Sequence, residues 1–233
     1  SMKIFRWIKW CVGLLLIVAI GTFVWLAFKG YEMYDQALKE ASLEETVEKV
    51  RSKPNYTPLN ALPKTYLDAV IAVEDHRFYK HGGIDPIAIS RAVWNDIKAM
   101  SLVEGGSTIT QQLAKNLFFT QKKEFTRKFA EIFMAFKIEH TYSKDEILEL
   151  YLNSIYFGNG YYCVGDACEG YFGKTPREMT DSECTMLAGI PNAPSVYAPT
   201  VNPGLAKQRQ KQVIKQMVER GYLTGEKAAA IAG

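Results

Sequence analysis

Val73-Glu74-Asp75-His76-Arg77-Phe78-Tyr79-Lys80-His81-Gly82-Gly83-Ile84-Asp85-Pro86 sets two adjacent carboxylates, two histidines, two aromatic rings and a Gly-Gly break between the end of one helix and the start of the next. Apolar side chains at 67, 70, 71 and 73 give the preceding residues, Thr65 to Val73, the spacing of a short helix with one buried face. Glu74 then falls at the C-terminal end of that helix, where the partial negative charge disfavours a carboxylate by roughly 0.3 kcal/mol or more and raises its pKa. Gly82-Gly83 permits a tight turn, and Asp85 before Pro86 is an N-cap and first-turn signal for a helix from 86 to about 100. Such a corner aims side chains into a cleft between helices. Taken alone, ion pairs of Glu74 and Asp75 with Arg77 and Lys80 explain the composition equally well.

Outward from the corner the pattern is helix after helix. Residues 64 to 233 show no sustained alternation of period two, so the body is expected to be mainly α. The chain of 233 residues is 48% hydrophobic with net charge +3, enough to bury one substantial core and unlike a disordered segment. Trp10 to Phe28 is an uncharged run long enough to cross a bilayer core at ~1.5 Å per residue, and it predicts one transmembrane helix. Lys3, Arg6 and Lys9 precede it and Glu32 and Asp35 follow, so residues 1–9 are expected in the cytoplasm and the chain from 30 onward outside. The length of the run and the lack of a small-x-small site after it argue against a cleaved signal peptide. Residues 30–64 read as a connector, helical from Tyr31 to Arg51 and then extended through Pro54, Pro58 and Pro63, with the main domain at 65–233. Cys163, Cys168 and Cys184 lack metal-type spacing and read as buried small residues, with one disulfide among them as the alternative.

Gly105-Gly106-Ser107-Thr108-Ile109-Thr110-Gln111-Gln112-Leu113-Ala114-Lys115-Asn116 opens with glycines, caps with Ser107 and continues as a helix to about Phe118. Free N–H groups at such a start favour an anion, and Lys115 adds full charge, although most Gly-Gly-Ser helix starts are only caps. The P-loop pattern is absent, which excludes that nucleotide site. In the helix read from Gln121 to Tyr142, Phe125, Phe129, Ile132, Phe133 and Phe136 form an apolar face. Lys123, Arg127 and Lys128 share the rest with Glu131, and the last three project together, as they also do on many solvated helices. Ser143 to Glu146 is a capping box, Thr180 to Glu183 another, and a basic helix spans Pro203 to Arg220. Tyr151 and Asn153 are the polar residues of the intervening helix placed near a cleft. Asn95 to Glu104, apolar at Ile97, Met100, Leu102 and Val103, is expected to be mobile and to enter the outer leaflet.

Glu74 to Gly83, Gly105 to Asn116, Arg127 to Glu131 and Lys144 to Asn153 resemble, in order, the signature motifs of the peptidoglycan glycosyltransferases of family 51, the polymerising domains of bifunctional penicillin-binding proteins and of monofunctional transglycosylases. The resemblance covers about residues 62 to 222. It implies a lysozyme-like helical fold preceded by the transmembrane helix. It also implies polymerisation of lipid II into β-1,4-linked glycan with release of undecaprenyl pyrophosphate, and it implies Glu74 and Glu131 as catalytic residues. By position it assigns Asp75, Phe78, His81, Ser107, Thr108, Gln111, Gln112, Lys115, Asn116, Lys123, Arg127, Lys128, Tyr151 and Asn153 to substrate binding. Ala130 stands where many members carry a basic residue, and Lys123 where arginine is common. Asp166 and Cys168 fall in a segment that is usually small and apolar. No transpeptidase domain follows residue 222, the pattern of a monofunctional enzyme or of part of a bifunctional one.

The chemistry agrees with the residues. Building a β linkage from an α-linked pyrophosphate inverts the donor carbon, so one base on the acceptor side suffices, and the leaving group needs cations more than an acid. A lytic glycosidase would instead need an acid for its leaving sugar, and a glycan-binding module would not need Glu74 in a disfavoured place. Expected partners are lipid II and the growing strand, the membrane through the N-terminal helix and other cell-wall synthesis proteins, with no nucleic acid. No metal site and no required cofactor are read from the sequence, which is compatible with a divalent cation on the substrate pyrophosphate.

Overall fold

The computed structural model describes residues 2–99, 105–120 and 125–232, and among these it is helical with no strand. The helices are α1 Met2–Glu40, α2 Leu43–Arg51, α3 Lys64–Glu74, α4 Pro86–Ala99, α5 Ile109–Ala114, α6 Arg127–Thr141, α7 Lys144–Leu152, α8 Val164–Phe172, α9 Asp181–Gly189, α10 Pro194–Tyr197, α11 Pro203–Glu219 and α12 Gly225–Ala232. Their starts follow local chemistry. Ser42, Ser143 and Thr180 close capping boxes with Glu45, Glu146 and Glu183. Asp85 accepts the N–H groups of Ile87 at 3.0 Å and Ala88 at 3.2 Å.

The N-terminal helix is longer than the apolar run. From Ile4 to Phe28 most of its large apolar side chains are exposed, on a helix long and apolar enough to cross a membrane. Beyond them it continues unbroken to Glu40, where Met33, Tyr34, Ala37 and Leu38 pack on the core. α2 buries Leu43, Val47 and Val50 in that core. Residues 43–62, read from sequence as connector, are therefore structurally part of the body. Asn153 secures the extended stretch that follows: its amide accepts from Thr57 N at 2.8 Å and donates to Thr57 O and Glu149 O, both at 2.8 Å. Glu149 adds bonds from Tyr56 Oη and, at 2.7 Å, from Leu59 N.

Two packed groups meet at the corner. α3 lies against α9 and α11, and α5 lies between α6 and α7, with α1 along the back of α6. Two boundaries differ from the sequence reading. The cap of α5 is Thr108, in a box with Gln111, and not Ser107; the helix then widens after Ala114 into a π turn over Lys115–Phe119. α6 begins at Arg127, and residues 121–124 lie outside the described part. Residues 100–104 of the segment Asn95 to Glu104 also lie outside it. Cys163, Cys168 and Cys184 are buried free thiols, so the alternative of a disulfide is not realised.

Candidate active site

Glu74 is the last residue of α3, at the floor of a cleft of about 300 Å³. The corner after it is fastened to the start of α5. Both oxygens of Asp75 lie 2.9 Å from His81 Nε2, and one accepts from Ile109 N at 3.1 Å. Thr108 Oγ1 donates to Gly83 O at 2.6 Å, and Gly83 takes φ +89°, a left-handed turn that suits glycine. Arg77 pairs with Asp85 at 2.9 Å, so it neutralises neither Glu74 nor Asp75.

That fastening brings α5 alongside Glu74. Gln112 Nε2 donates to Glu74 Oε2 at 3.0 Å, and Tyr151 Oη, wholly buried, donates to Gln112 Oε1 at 3.2 Å. Glu74 Oε1 is buried with no partner. Burial raises the Glu74 pKa against opposing contributions from the Gln112 bond and the charges of Arg209 and Lys115. The sequence ascribed the rise to the helix end; desolvation is the larger cause.

On one side of the cleft stands the first turn of α6. The Glu131 carboxylate is nearly buried, with Arg127 Nε at 3.0 Å and Lys128 Nζ at 3.2 Å. Lys128 also donates to Ser107 Oγ, and Ser107 lines the cleft with Glu74. One ammonium thus joins the second acid to the first acid's cleft. Lys115 and Asn116 are partly buried on the π turn, Lys115 near enough for its charge to act on Glu74, while Lys123 lies outside the described residues.

The other wall was not anticipated. Asn192, Arg209 and Gln216 from α11, and Arg220, which caps it, line the cleft, as do His76 and Arg91. Arg209 is held by Gly189 O at 3.4 Å and Gln212 at 3.0 Å. Burial, then the charges of Arg220 and Arg91, lowers the His76 pKa. The available signal was the spacing of 209, 216 and 220, which puts three polar residues on one stripe of a basic helix.

Several positions assigned to substrate binding are buried and bonded within the fold. Asn153 has no exposed surface and holds Thr57; Gln111 is buried and caps α5 through Thr108. Phe78 belongs to the core, with the Lys144 ammonium 4.4 Å above its ring. Tyr151 touches Gln112 from within the core rather than the cleft. Their shared property is burial of every polar or aromatic group that would meet a substrate. Asp75, His81 and Asp85 place one potential ligand atom each within 4.8 Å of one another. Ile109 N and His81 already occupy Asp75, and Arg77 with two backbone N–H groups occupies Asp85, so a cation there would compete with formed bonds.

Comparison with known proteins adds an independent finding. The profile of the Transglycosylase family matches residues 40–218. Penicillin-binding protein 1F of Bacillus subtilis (strain 168) is 47% identical over 175 residues, 75% of this chain and 24% of its own. Penicillin-binding protein 1A of Neisseria cinerea is 48% identical over 169 residues, 72% of this chain and 21% of its own. The crystal structure of penicillin-binding protein 1A from Haemophilus influenzae aligns with a TM-score of 0.46 at 24% identity, covering 76% of this chain and 17% of that one. The chain spans under a quarter of the length of these curated relatives.

Proposed function

The chain belongs to the transglycosylase family, glycosyltransferase family 51, and from that premise we propose that it polymerises lipid II into β-1,4-linked glycan in bacterial cell-wall synthesis, with Glu74 as the base. The observation that carries this reading is the half-satisfied carboxylate of Glu74, a residue that lines the cleft: Gln112 occupies one oxygen, and the other is buried without a partner. A base needs an oxygen with an unused lone pair and a pKa raised towards the working pH, and Glu74 has both features, although substrate entry has to expose the buried oxygen.

The step balances as a single displacement. The acceptor's 4-hydroxyl loses its proton to Glu74 Oε1 as its oxygen bonds to the donor's anomeric carbon from the face opposite the pyrophosphate. The bond to the pyrophosphate breaks, it departs as an anion, and the configuration inverts. Lys115, Arg127 and Lys128, with Lys123 and Asn116, hold that anion, and Glu131 fixes Arg127 and Lys128 in place. A divalent cation on the pyrophosphate would add charge of the same sign. The N-terminus is cytoplasmic in this reading, α1 crosses the membrane, and the cleft faces the outer leaflet where the lipid-linked substrate lies.

Incubating the full chain with lipid II in bilayers tests the reading. Glycan polymer is expected from the native protein and none from Glu74→Gln, which still binds lipid II. Cleavage of isolated sacculi instead would make it a lytic glycosidase, and binding without turnover a glycan-binding module.

A further inference from the structure

The three glycines of α1 sit in two different environments. A side chain at Gly13 or Gly21 would meet nothing within 4 Å. A Cβ at Gly30 would overlap Phe129 Cβ and lie 3.0 Å from both Ala130 N and Thr126 O. Two of these three neighbours are backbone atoms, which cannot swing aside. The contact is framed by aromatic pairs, Phe23 with Phe129 at 5.2 Å on one side and Tyr31 with Phe133 at 5.4 Å on the other. Gly30 is therefore a point of close approach between the apolar helix and α6, where the missing side chain lets two backbones come together.

The face of α6 that it touches is opposite the one that works. At 100° per residue, Thr126, Phe129 and Ala130 form one side of the helix, and Arg127, Lys128 and Glu131 form the other. A push on the first side moves the second towards Ser107 and the cleft. We propose that Gly30 is a positioning residue: by seating α1 flush on the first turn of α6, it sets the place of Lys128, Arg127 and Glu131, so the membrane helix and the donor-side grip move as one piece. This rests on the reading of those three residues as the donor's pyrophosphate grip.

A methyl group forced into this contact displaces the turn by a distance on the order of 1 Å, enough for a loss of up to about 100-fold. The experiment measures kcat and KM for lipid II in bilayers, with melting curves, for Gly30→Ala, Gly21→Ala and Lys128→Ala and for the double variant Gly30→Ala/Lys128→Ala. The expected result is a tenfold or greater fall in kcat/KM for Gly30→Ala, mostly in KM, with Gly21→Ala unchanged. In the double variant Lys128→Ala should add little further loss, because the ammonium is already out of place. Adding Phe129→Gly to Gly30→Ala, which removes the nearest clashing atom, should recover part of the loss and also serves if Gly30→Ala alone folds poorly. Unchanged kinetics in Gly30→Ala, or losses that multiply fully with Lys128→Ala, would overturn the inference. If Lys128→Ala and Arg127→Ala themselves leave KM untouched, the donor-grip reading fails first, whatever Gly30→Ala does.

Discussion

The carboxylate of Glu74 receives one side-chain N–H, from Gln112, whereas that of Glu131 lies 3.0 Å from Arg127 and 3.2 Å from Lys128. Glu74 ends its helix and Glu131 lies in the early turns of its own. Lys128 links Glu131 to Ser107 of the Glu74 cleft; Oε1 of each acid is buried without a hydrogen bond, but at Glu131 it lies beside the Arg127 cation. A carboxylate left short of donors and pushed up in pKa by burial is fit to accept a proton; one enclosed by two cations is fit to hold those cations still. In the function proposed above, the two glutamates divide proton transfer and anion grip by their environments.

Glu74→Gln breaks the comparison at its strongest point. Loss of the base should lower turnover by about 10²–10⁴-fold in a lipid II polymerisation assay. The same variant should gain stability at neutral pH. The folded pKa of Glu74 lies above the ordinary carboxyl value, so the native protein is favoured below that value and loses stability as pH rises through the raised pKa. Glutamine escapes that loss. Melting curves should show the variant above the native protein at pH 7 and level with it in acid, and a pH-independent difference would break the link between burial and base.

Glu131→Gln tests the other half. It leaves Arg127 and Lys128 without their anion, and the donor grip loosens. A fall in kcat/KM of roughly 10–100-fold is expected, the scale of a small misplacement of positioning groups. The ascending limb of the pH profile should stay where it is, because that limb belongs to Glu74. A shifted limb would mean that both acids titrate in the step.

Tyr151→Phe sharpens the comparison by acting on Glu74 at one remove. The Tyr151 proton holds Gln112 Oε1 and so turns the Gln112 N–H towards Glu74, which favours the ionised base. Without it the amide is free to turn, the Glu74 pKa rises, and the ascending limb should move to higher pH. A net hydrogen bond of about 0.5–1.5 kcal/mol corresponds to a shift of roughly half to one pH unit. An unmoved limb with a lowered plateau would make Tyr151 a packing residue only.

The Glu74 half of this contrast was legible in the sequence and much of its surroundings was not. The corner was legible because its signals are local: the apolar spacing of α3, Gly82-Gly83 and the Asp85-Pro86 start all lie in one continuous stretch around Glu74. The cap of α5 was misplaced by one residue because Ser107 and Thr108 are both hydroxyls. Gln111, three residues after Thr108, was the discriminating sign. The α11 wall escaped because Arg209 and Arg220 reach the cleft only through tertiary packing of α11 on α3 and α9. Of the aromatic face read on α6, Phe129 and Phe133 pack on Phe23 and Tyr31 of the N-terminal helix, a partner that periodicity does not reveal, whereas Phe125 precedes α6 and is exposed.

Asn153→Ala should have the smallest effect on rate, and it separates motif membership from contact with substrate. Asn153 is wholly buried, and its amide is the partner of Thr57 N and Thr57 O across the stretch that joins α2 to α3. Alanine leaves those two backbone groups without their acceptor and donor, while the Cys163 thiol, which also points at Asn153 Oδ1, keeps Asn55 O. A buried polar group stranded in this way costs about 1–3 kcal/mol, so the melting temperature should fall clearly. The stretch is anchored independently by Glu149, through Tyr56 and Leu59, and so should keep its course at low temperature. With α3 still in place, Glu74 and Gln112 keep their geometry, and kcat/KM measured well below the melting transition should stay within about twofold of the native value. A loss of turnover at unchanged melting temperature would return Asn153 to the cleft and show that burial had been misread as a purely structural role.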